Sequence, residues 1–322
     1  MQAIQVKETG ASGVLEFVEL PDPAPGPGEA LVQLEACGVN FIDVYQRIGL
    51  YPLPLPFVLG QEGAGVVQEV GPETEGAAVG DRVAFTSVLG AYAQQIVVPA
   101  NRLVAVPDAM DLQTAGAIML QGLTAHYLTH DTYSLGPEST CLIHAGAGGV
   151  GQLFIQIAKR LGAIVFTTAG TAKKAELAKE AGADHVIIYT ETDFADEVRS
   201  VVGEKALDVV YDSVGVDTFD RGLDLLRPGG VMALFGQSSG PVPPFDLGRL
   251  ARGGSLYVTR PTLGSYIASP EDLERRKKDL FGWVTSGELK VRIGATYPLA
   301  EAAAAHDALE GRATTGKVLL VP

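Results

Sequence analysis

The chain has little cysteine, few basic residues and no long apolar run. Cys37 and Cys141 are the only cysteines among 322 residues, and two cysteines so far apart do not form a disulfide framework, so a reducing cytoplasm is expected. A formal net charge of −14 argues against nucleic acid or an anionic membrane as the main partner. No segment is long and apolar enough for a membrane helix, and the start at Met1 lacks the basic and apolar regions of a signal peptide.

Short β-type runs separated by turn residues fill the first part of the chain, and strands alternate with helical patterns later. Runs such as 30–34 and 65–70 predict a small barrel-like β domain. From about residue 122, predicted strands at 141–144, 164–168, 185–188, 209–212, 231–235 and 256–259 alternate with predicted helices. This alternation predicts a doubly wound parallel sheet, and the fold class is therefore α/β. The last elements, including a strand at 317–321, are too few for a third core, so we expect them to complete the first domain.

A glycine cluster follows the first of these strands directly. Gly146, Gly148 and Gly151 have G-x-G-x-x-G spacing between a strand and a helical pattern that begins at Val150. In this context one glycine makes the turn, one lets the backbone approach a pyrophosphate, and one lets the helix pack closely on its strand. The helix start adds free N–H groups for the phosphates. A structural turn without a ligand is the alternative, and the strand–turn–helix context favours a dinucleotide site.

The second strand of the alternating region indicates which dinucleotide is bound. NAD sites commonly place a carboxylate about 20 residues after the first glycine, where it binds the ribose 2′-hydroxyl. Here no carboxylate occurs in 166–174, and Lys173 and Lys174 follow instead, which favours a 2′-phosphate and hence NADP. A solvated helix start is the alternative, but cations are unfavourable in a first helical turn.

Several segments together resemble one protein family along essentially the whole chain. They are Asn40–Tyr45, Gly49–Pro52, Gly122–Thr124, Ala145–Gly151, Gly170–Ala175, Tyr211–Gly215, Phe235–Gly240, Leu256–Pro261 and Arg312–Thr314. With these segments the chain resembles the NADPH:quinone oxidoreductase (zeta-crystallin-like) branch of the zinc-free medium-chain dehydrogenases/reductases. The resemblance implies a GroES-like substrate domain at 1–122 and 263–322, a Rossmann NADP-binding domain at 123–262, and an active site in the cleft between them.

The resemblance also implies roles for individual residues. The implied cofactor-binding residues are Ala147, Gly148, Gly149 and Val150 at the pyrophosphate, Gly170, Lys174, Tyr189 and Arg312 at the 2′-phosphate and adenosine ribose, and Ser213, Phe235 and Ser238 along the cofactor groove. The implied catalytic residues around the nicotinamide and the quinone are Asn40, Tyr45, Tyr51 and Thr124.

The sequence departs from the zinc-dependent members of the superfamily. Asn40 occupies the position of a ligand cysteine, and Gln61 in Gly60-Gln61-Glu62 occupies the position of a ligand histidine. Neutral amides and two lone cysteines do not make a zinc site, so alcohol oxidation at a metal is a poor fit. His126 and His130 have i, i+4 spacing without a third ligand, and we interpret them as packing or surface residues.

These observations predict a cytoplasmic, zinc-independent enzyme that transfers hydride from NADPH to a quinone. An NADPH-dependent enone or alkenal reductase is the alternative enzyme. A crystallin-like structural role or RNA binding, both known among relatives, are alternatives of another class, and the acidic charge weighs against RNA. Relatives form dimers through Rossmann edge strands, so we expect a homodimer through the run 256–259.

Overall fold

The computed structural model describes all 322 residues, and its first part is built mainly from strands. In chain order the elements are β1 (Gln2–Val6), β2 (Leu15–Glu19), β3 (Glu29–Val39), α1 (Phe41–Arg47), β4 (Phe57–Val58), β5 (Glu62–Val70), β6 (Arg82–Thr86), β7 (Gln95–Pro99), β8 (Val104–Ala105) and α2 (Leu112–Tyr127). A π-helical turn, Leu128–Thr132, follows α2. The β-rich beginning agrees with the short alternating runs of the sequence.

Strands and helices then alternate. The elements are β9 (Thr140–Ile143), α3 (Gly149–Arg160), β10 (Ile164–Ala169), α4 (Ala172–Glu180), β11 (His185–Ile188), α5 (Phe194–Val202), β12 (Leu207–Asp212), α6 (Phe219–Asp224), β13 (Leu226–Leu234), α7 (Gly248–Gly254), β14 (Tyr257–Thr259) and α8 (Leu263–Tyr266). The six strands pair in parallel in the order β11-β10-β9-β12-β13-β14, which is the Rossmann order. The order reverses between β9 and β12, and ligands of such sheets bind at the carboxyl ends of the strands there.

The chain ends with α9 (Pro270–Thr285), β15 (Ile293–Pro298), α10 (Ala302–Glu310) and β16 (Lys317–Val321). β16 pairs antiparallel with β3, so the last strand joins a seven-stranded sheet whose other strands come mostly from the beginning of the chain. Ser269 caps α9 by accepting from Asp272 N, and Pro270 follows at the first helical turn, as helix starts favour.

The chain divides into two compact units, Met1–Leu123 with Ile267–Pro322, and Thr124–Tyr266. Residues 263–266, which the sequence analysis assigns to the first domain, lie in the second unit. There the Tyr266 ring stacks on Tyr127, with ring centroids 4.2 Å apart, and its hydroxyl accepts from Thr132 Oγ1 at 3.1 Å. This contact gives α8 a partner in the second unit.

Each unit has its own apolar core. Ile4, Phe85, Tyr92 and Leu320 are among the buried residues of the first, and Leu142, Phe166, Val210 and Met232, on four strands, are among those of the second. No helix of the chain combines the length and hydropathy that spanning a membrane requires.

Candidate functional site

The glycine cluster of the second unit forms a tight turn between β9 and α3. Ala145 O accepts from Gly148 N at 3.0 Å, and Gly148 O accepts from Gln152 N at 3.0 Å. The Gln152 side chain donates to Ala147 O at 2.8 Å and closes the turn from the helix side. The turn lies at the carboxyl end of β9, the central strand at which the strand order reverses.

Each glycine of the motif has a different steric role. A Cβ at Gly146 would lie 2.2 Å from Thr167 Oγ1, and a Cβ at Gly151 would lie 2.3 Å from Ala145 O. Gly146 therefore permits close packing on β10, and Gly151 permits close packing of α3 on the turn. A Cβ at Gly148 would meet only Ala145 O at 3.2 Å, so this side of the turn is open. The open backbone beside the first turn of α3 fits a pyrophosphate.

The end of β10 holds the residues expected at the 2′-phosphate and the adenosine ribose. A Cβ at Gly170 would lie 2.7 Å from the Tyr189 hydroxyl, so a side chain at Gly170 would displace that tyrosine. Thr171 caps α4 by accepting from Lys174 N at 3.3 Å, which places Lys174 in the first turn of that helix. The structure thus brings Gly170, Lys174 and Tyr189 to one corner of the sheet.

The ends of β12 and β13 meet through their backbones. Ser213 O accepts from Ser238 N at 3.2 Å, and Asp212 O accepts from Phe235 N at 2.8 Å. The Asp212 carboxylate accepts from Val214 N at 2.7 Å and orders the turn after β12. Ser213, Phe235 and Ser238 are therefore neighbours, as the predicted cofactor groove requires.

In the first unit, Asn40 directly precedes α1 and is buried. Its Oδ1 accepts from Lys317 Nζ at 2.9 Å and from Gln121 Nε2 at 3.2 Å. Its Nδ2 donates to Glu62 Oε1 at 2.7 Å and to Gly38 O at 3.3 Å. The amide of Asn40 thus has two donors and two acceptors satisfied inside the protein, which is its full capacity.

Asn40 lies against a buried ion pair. Glu62 and Lys317 have 0% and 1% of their side-chain surface exposed, and Lys317 Nζ donates to Glu62 Oε1. The other carboxylate oxygen accepts from Leu120 N at 2.6 Å. A Cβ at Gly38 would lie 2.1 Å from Glu62 Oε1, so only glycine leaves room for the carboxylate.

A second buried chain of hydrogen bonds begins at Asp43 on α1. Asp43 Oδ2 accepts from Asn40 N at 2.8 Å and from the Tyr92 hydroxyl at 2.9 Å. The Tyr92 hydroxyl lies 3.1 Å from His306 Nε2, and Arg47 Nη1 lies 3.1 Å from His306 Nδ1. Because arginine only donates, His306 Nδ1 accepts and Nε2 carries the hydrogen. Burial raises the pKa of Asp43 to about 7, and burial together with Arg47 lowers the pKa of His306 to about 3.

The other predicted residues lie as follows. Tyr45 and Tyr51 form an edge-to-face pair with ring centroids 5.3 Å apart, and Tyr51 N donates to Tyr45 O at 3.0 Å. Thr124 is buried on α2, and Arg312 is exposed after α10 with φ +54°. The structure thus joins the two tyrosines in one aromatic pair.

Sequence reasoning missed Glu62, Lys317, Tyr92 and His306 as parts of one buried polar cluster. The sequence signal that could have indicated this cluster is a charged residue within an otherwise apolar strand. Glu62 begins the Gly/Ala/Val-rich strand β5, and Lys317 begins the otherwise aliphatic strand β16. Charged residues in such strands are rarely fully buried unless they are paired. His126 and His130 stack at 4.2 Å, with His126 fully buried, which agrees with a packing role.

Comparison with known proteins agrees with this architecture. Residues 26–108 match the alcohol dehydrogenase GroES-like domain family, and residues 149–276 match the zinc-binding dehydrogenase family. A quinone oxidoreductase of Pseudomonas aeruginosa is 46% identical over 321 residues, which cover 99% of both chains. A 2-haloacrylate reductase of Burkholderia sp is 41% identical over 331 residues, which cover 100% of this chain and 99% of that protein.

The crystal structure of Escherichia coli quinone oxidoreductase complexed with NADPH superposes with a TM-score of 0.98 at 44% identity, over 100% of both chains. The expected α/β fold with a Rossmann domain and a GroES-like domain is thereby confirmed. The open turn at Gly148 and the corner formed by Gly170, Lys174 and Tyr189 fit the predicted cofactor, NADPH. The protein is an NADPH-dependent oxidoreductase, and it belongs to the NADPH:quinone oxidoreductase branch of the medium-chain dehydrogenase/reductase superfamily.

Proposed function

We propose that the protein reduces a quinone with NADPH and does so without a metal ion. The observation that carries this proposal is the buried cluster around Asn40. Lys317 Nζ already binds Glu62 Oε1, so a cation at that oxygen would face a buried ammonium group. No group of three or more His, Cys, Asp or Glu side chains could hold a metal ion. The donor set therefore suits hydride transfer to an acceptor that needs no Lewis acid.

Bound NADPH supplies the hydride, and the protein binds and orients the acceptor. The Tyr45–Tyr51 pair offers an aromatic wall and a hydroxyl, which suit a flat quinone ring whose oxygen becomes an anion. Asn40 would donate to a quinone only after releasing Glu62 or Gly38. We therefore infer that Asn40 fixes the start of α1 and that positioning supplies most of the rate. Catalytic roles for Tyr45, Tyr51 and Thr124 remain predictions, whereas Asn40, also predicted to be catalytic, is proposed here to be a positioning residue.

Replacement of the tyrosines tests this arrangement. Tyr51→Phe should lower kcat/KM for a simple benzoquinone about tenfold, the value of one hydrogen bond. Tyr45→Ala should mainly raise KM, because it removes half of the aromatic pair. Tyr297→Phe is the matched control, since Tyr297 lies on β15 and is not among the predicted site residues. Complete loss of turnover in Tyr51→Phe, with folding and NADPH binding intact, would instead indicate an essential proton donor.

A second candidate acceptor is an activated alkene. The similarity to the 2-haloacrylate reductase of Burkholderia sp extends over 100% of this chain. This similarity favours an enone, alkenal or haloacrylate reductase with the same fold. NADPH oxidation should be measured against matched concentrations of benzoquinones, naphthoquinones, enones, alkenals and 2-haloacrylate. A kcat/KM for quinones above that for every alkene supports the proposal, and the reverse order supports the alternative. NADPH binding with no turnover on any acceptor would favour a structural role, and salt-sensitive retention on RNA would favour nucleic-acid binding.

We further propose that the protein is a homodimer through β14. This strand is the last of the six-stranded sheet and pairs only with β13, and Tyr257 and Val258 on it are 65% and 37% exposed. An exposed apolar edge strand offers unpaired backbone groups to a second copy. Light scattering at micromolar concentration should give a molar mass of two chains for the unaltered protein. The Val258→Lys variant should instead have the mass of a single chain. A monomeric unaltered protein would contradict this.

A further inference from the structure

The residue with left-handed backbone in the glycine turn is an alanine. Ala145 has φ +59°, whereas Gly146, Gly148, Gly149 and Gly151 all lie outside the positive-φ region. This conformation suits glycine and is strained for other residues. Ala145 is also exposed, so no surrounding core holds it. Its conformation must therefore be fixed by hydrogen bonds at its own peptide groups.

One residue of the neighbouring strand supplies those bonds. Thr168, on β10, accepts from Ala145 N at 3.1 Å with its hydroxyl and from Gly146 N at 3.0 Å with its carbonyl. Two successive N–H groups are thus bound by a single buried threonine. Val at this position would retain the carbonyl contact and lose the hydroxyl contact.

His144 fixes the direction of that hydroxyl. Its Nδ1 lies 3.1 Å from Thr168 Oγ1, and the other neighbour of Oγ1, Ala145 N, is a donor. The hydroxyl hydrogen therefore points to Nδ1, and Nε2 carries the hydrogen of the neutral ring. His144 is 2% exposed, its Nε2 has no partner, and burial lowers its pKa. A buried polar group left without a partner is costly, and such costs are typical of functional sites.

The Ala145 peptide in turn sets the start of α3. Its carbonyl accepts from Gly148 N, and it lies 2.3 Å from where a Cβ of Gly151 would be. The N–H groups that follow belong to the first helical turn, where a helix has no internal acceptors for them. A different orientation at Ala145 would turn these donors away from a pyrophosphate.

We propose that His144 and Thr168 are positioning residues for NADPH, which hold Ala145 in its left-handed conformation and thereby aim the first turn of α3 at the pyrophosphate. Neither residue needs to contact the cofactor. The inference concerns binding of the cofactor and does not depend on the acceptor being a quinone.

The test is a rescue measured by the dissociation constant for NADPH. Thr168→Val should weaken NADPH binding about tenfold, the value of one buried hydrogen bond, while kcat at saturating NADPH changes less than about twofold. Adding Ala145→Gly should restore the affinity to within about threefold, because glycine adopts a positive φ without the threonine. Thr168→Ser, which keeps the hydroxyl, should bind like the unaltered protein.

Two further measurements separate positioning from loss of structure. Thr167→Val is the matched control, since Thr167 also lies on β10 and its buried hydroxyl donates to Ile143 O of β9 at 2.6 Å. Ala145→Gly should not reverse any loss of affinity in that variant. His144→Leu should weaken binding in the unaltered background and have no further effect after Thr168→Val. Unchanged affinity in Thr168→Val, failure of Ala145→Gly to rescue it, or equal rescue of Thr167→Val would each overturn the proposal.

Discussion

Replacing Lys317 with methionine removes the cation that neutralises Glu62. Both side chains are almost completely buried, and the remaining partners of the carboxylate are the Asn40 amide and Leu120 N. Removing one partner of such a pair leaves an uncompensated charge and costs about 3–5 kcal/mol. We expect this loss in Lys317→Met, and it is a large part of the roughly 5–15 kcal/mol that stabilises a typical domain.

The double variant Glu62→Gln/Lys317→Met should regain most of that loss. With the ammonium gone, Asn40 can turn its amide so that Oδ1 accepts from the new glutamine and Nδ2 donates to Gln121. Gln121 Oε1 is buried without a partner, and it becomes available when that amide turns as well. The double variant should therefore be at least about 2 kcal/mol more stable than Lys317→Met.

Denaturant unfolding followed by tryptophan fluorescence measures these differences. Trp283 is the only tryptophan and lies on α9, so its signal reports the unit that contains the ion pair. Lys7→Met is the matched control, because Lys7 forms an exposed pair with Glu16 at 2.6 Å in the same unit and should cost less than about 1 kcal/mol. Equal losses in Lys317→Met and Lys7→Met, or a double variant no more stable than Lys317→Met, would refute the reasoning.

Three further predictions concern the cofactor, metal and pH. Lys174→Glu should raise KM for NADPH and leave KM for NADH little changed, because it removes the charge expected at the 2′-phosphate; a preference of the unaltered protein for NADH would contradict this. Chelators should leave activity intact, and elemental analysis that finds one zinc per chain, lost together with activity, would show the prediction to be wrong. The folded pKa of His306 is about 3 against an ordinary 6.5, so its contribution to stability is complete above pH 6.5 and is lost as pH falls toward 3. His306→Gln should therefore reduce the loss of stability below pH 6.5 by up to about 1.4 kcal/mol per pH unit in urea unfolding, and identical acid dependence in both proteins would exclude this role.

The second unit was largely predictable because its signals are local. Runs of apolar residues followed by helical periodicity predicted all six parallel strands. The strand β11, His185–Ile188, has the predicted bounds. β13 begins at Leu226, whereas the predicted strand begins at residue 231. The short helix α1 has no counterpart among the predicted elements, and its Arg47, of a residue type that is rarely buried, is 1% exposed.

The buried polar cluster was less predictable because its contacts are distant in sequence. Lys317 and Glu62 are 255 residues apart, and nothing local marks them as partners. The glycine turn was predicted only in part. The motif predicted the turn and its close packing, but the left-handed position is Ala145, whose conformation depends on Thr168 on the next strand.

The first unit is assembled from both ends of the chain, and this has a consequence during synthesis on the ribosome. β16 pairs with residues 37–39 at the end of β3, and its first residue is Lys317. Until residues 317–321 leave the ribosome, Glu62 has no counter-ion and residues 37–39 of β3 lack their partner in β16, while Thr124–Tyr266 is already complete. The Rossmann unit is therefore expected to fold first, although its sequence begins in the middle of the chain. Nascent chains stopped shortly before Gly316 should protect residues 124–266 from protease and leave residues 1–123 open to cleavage.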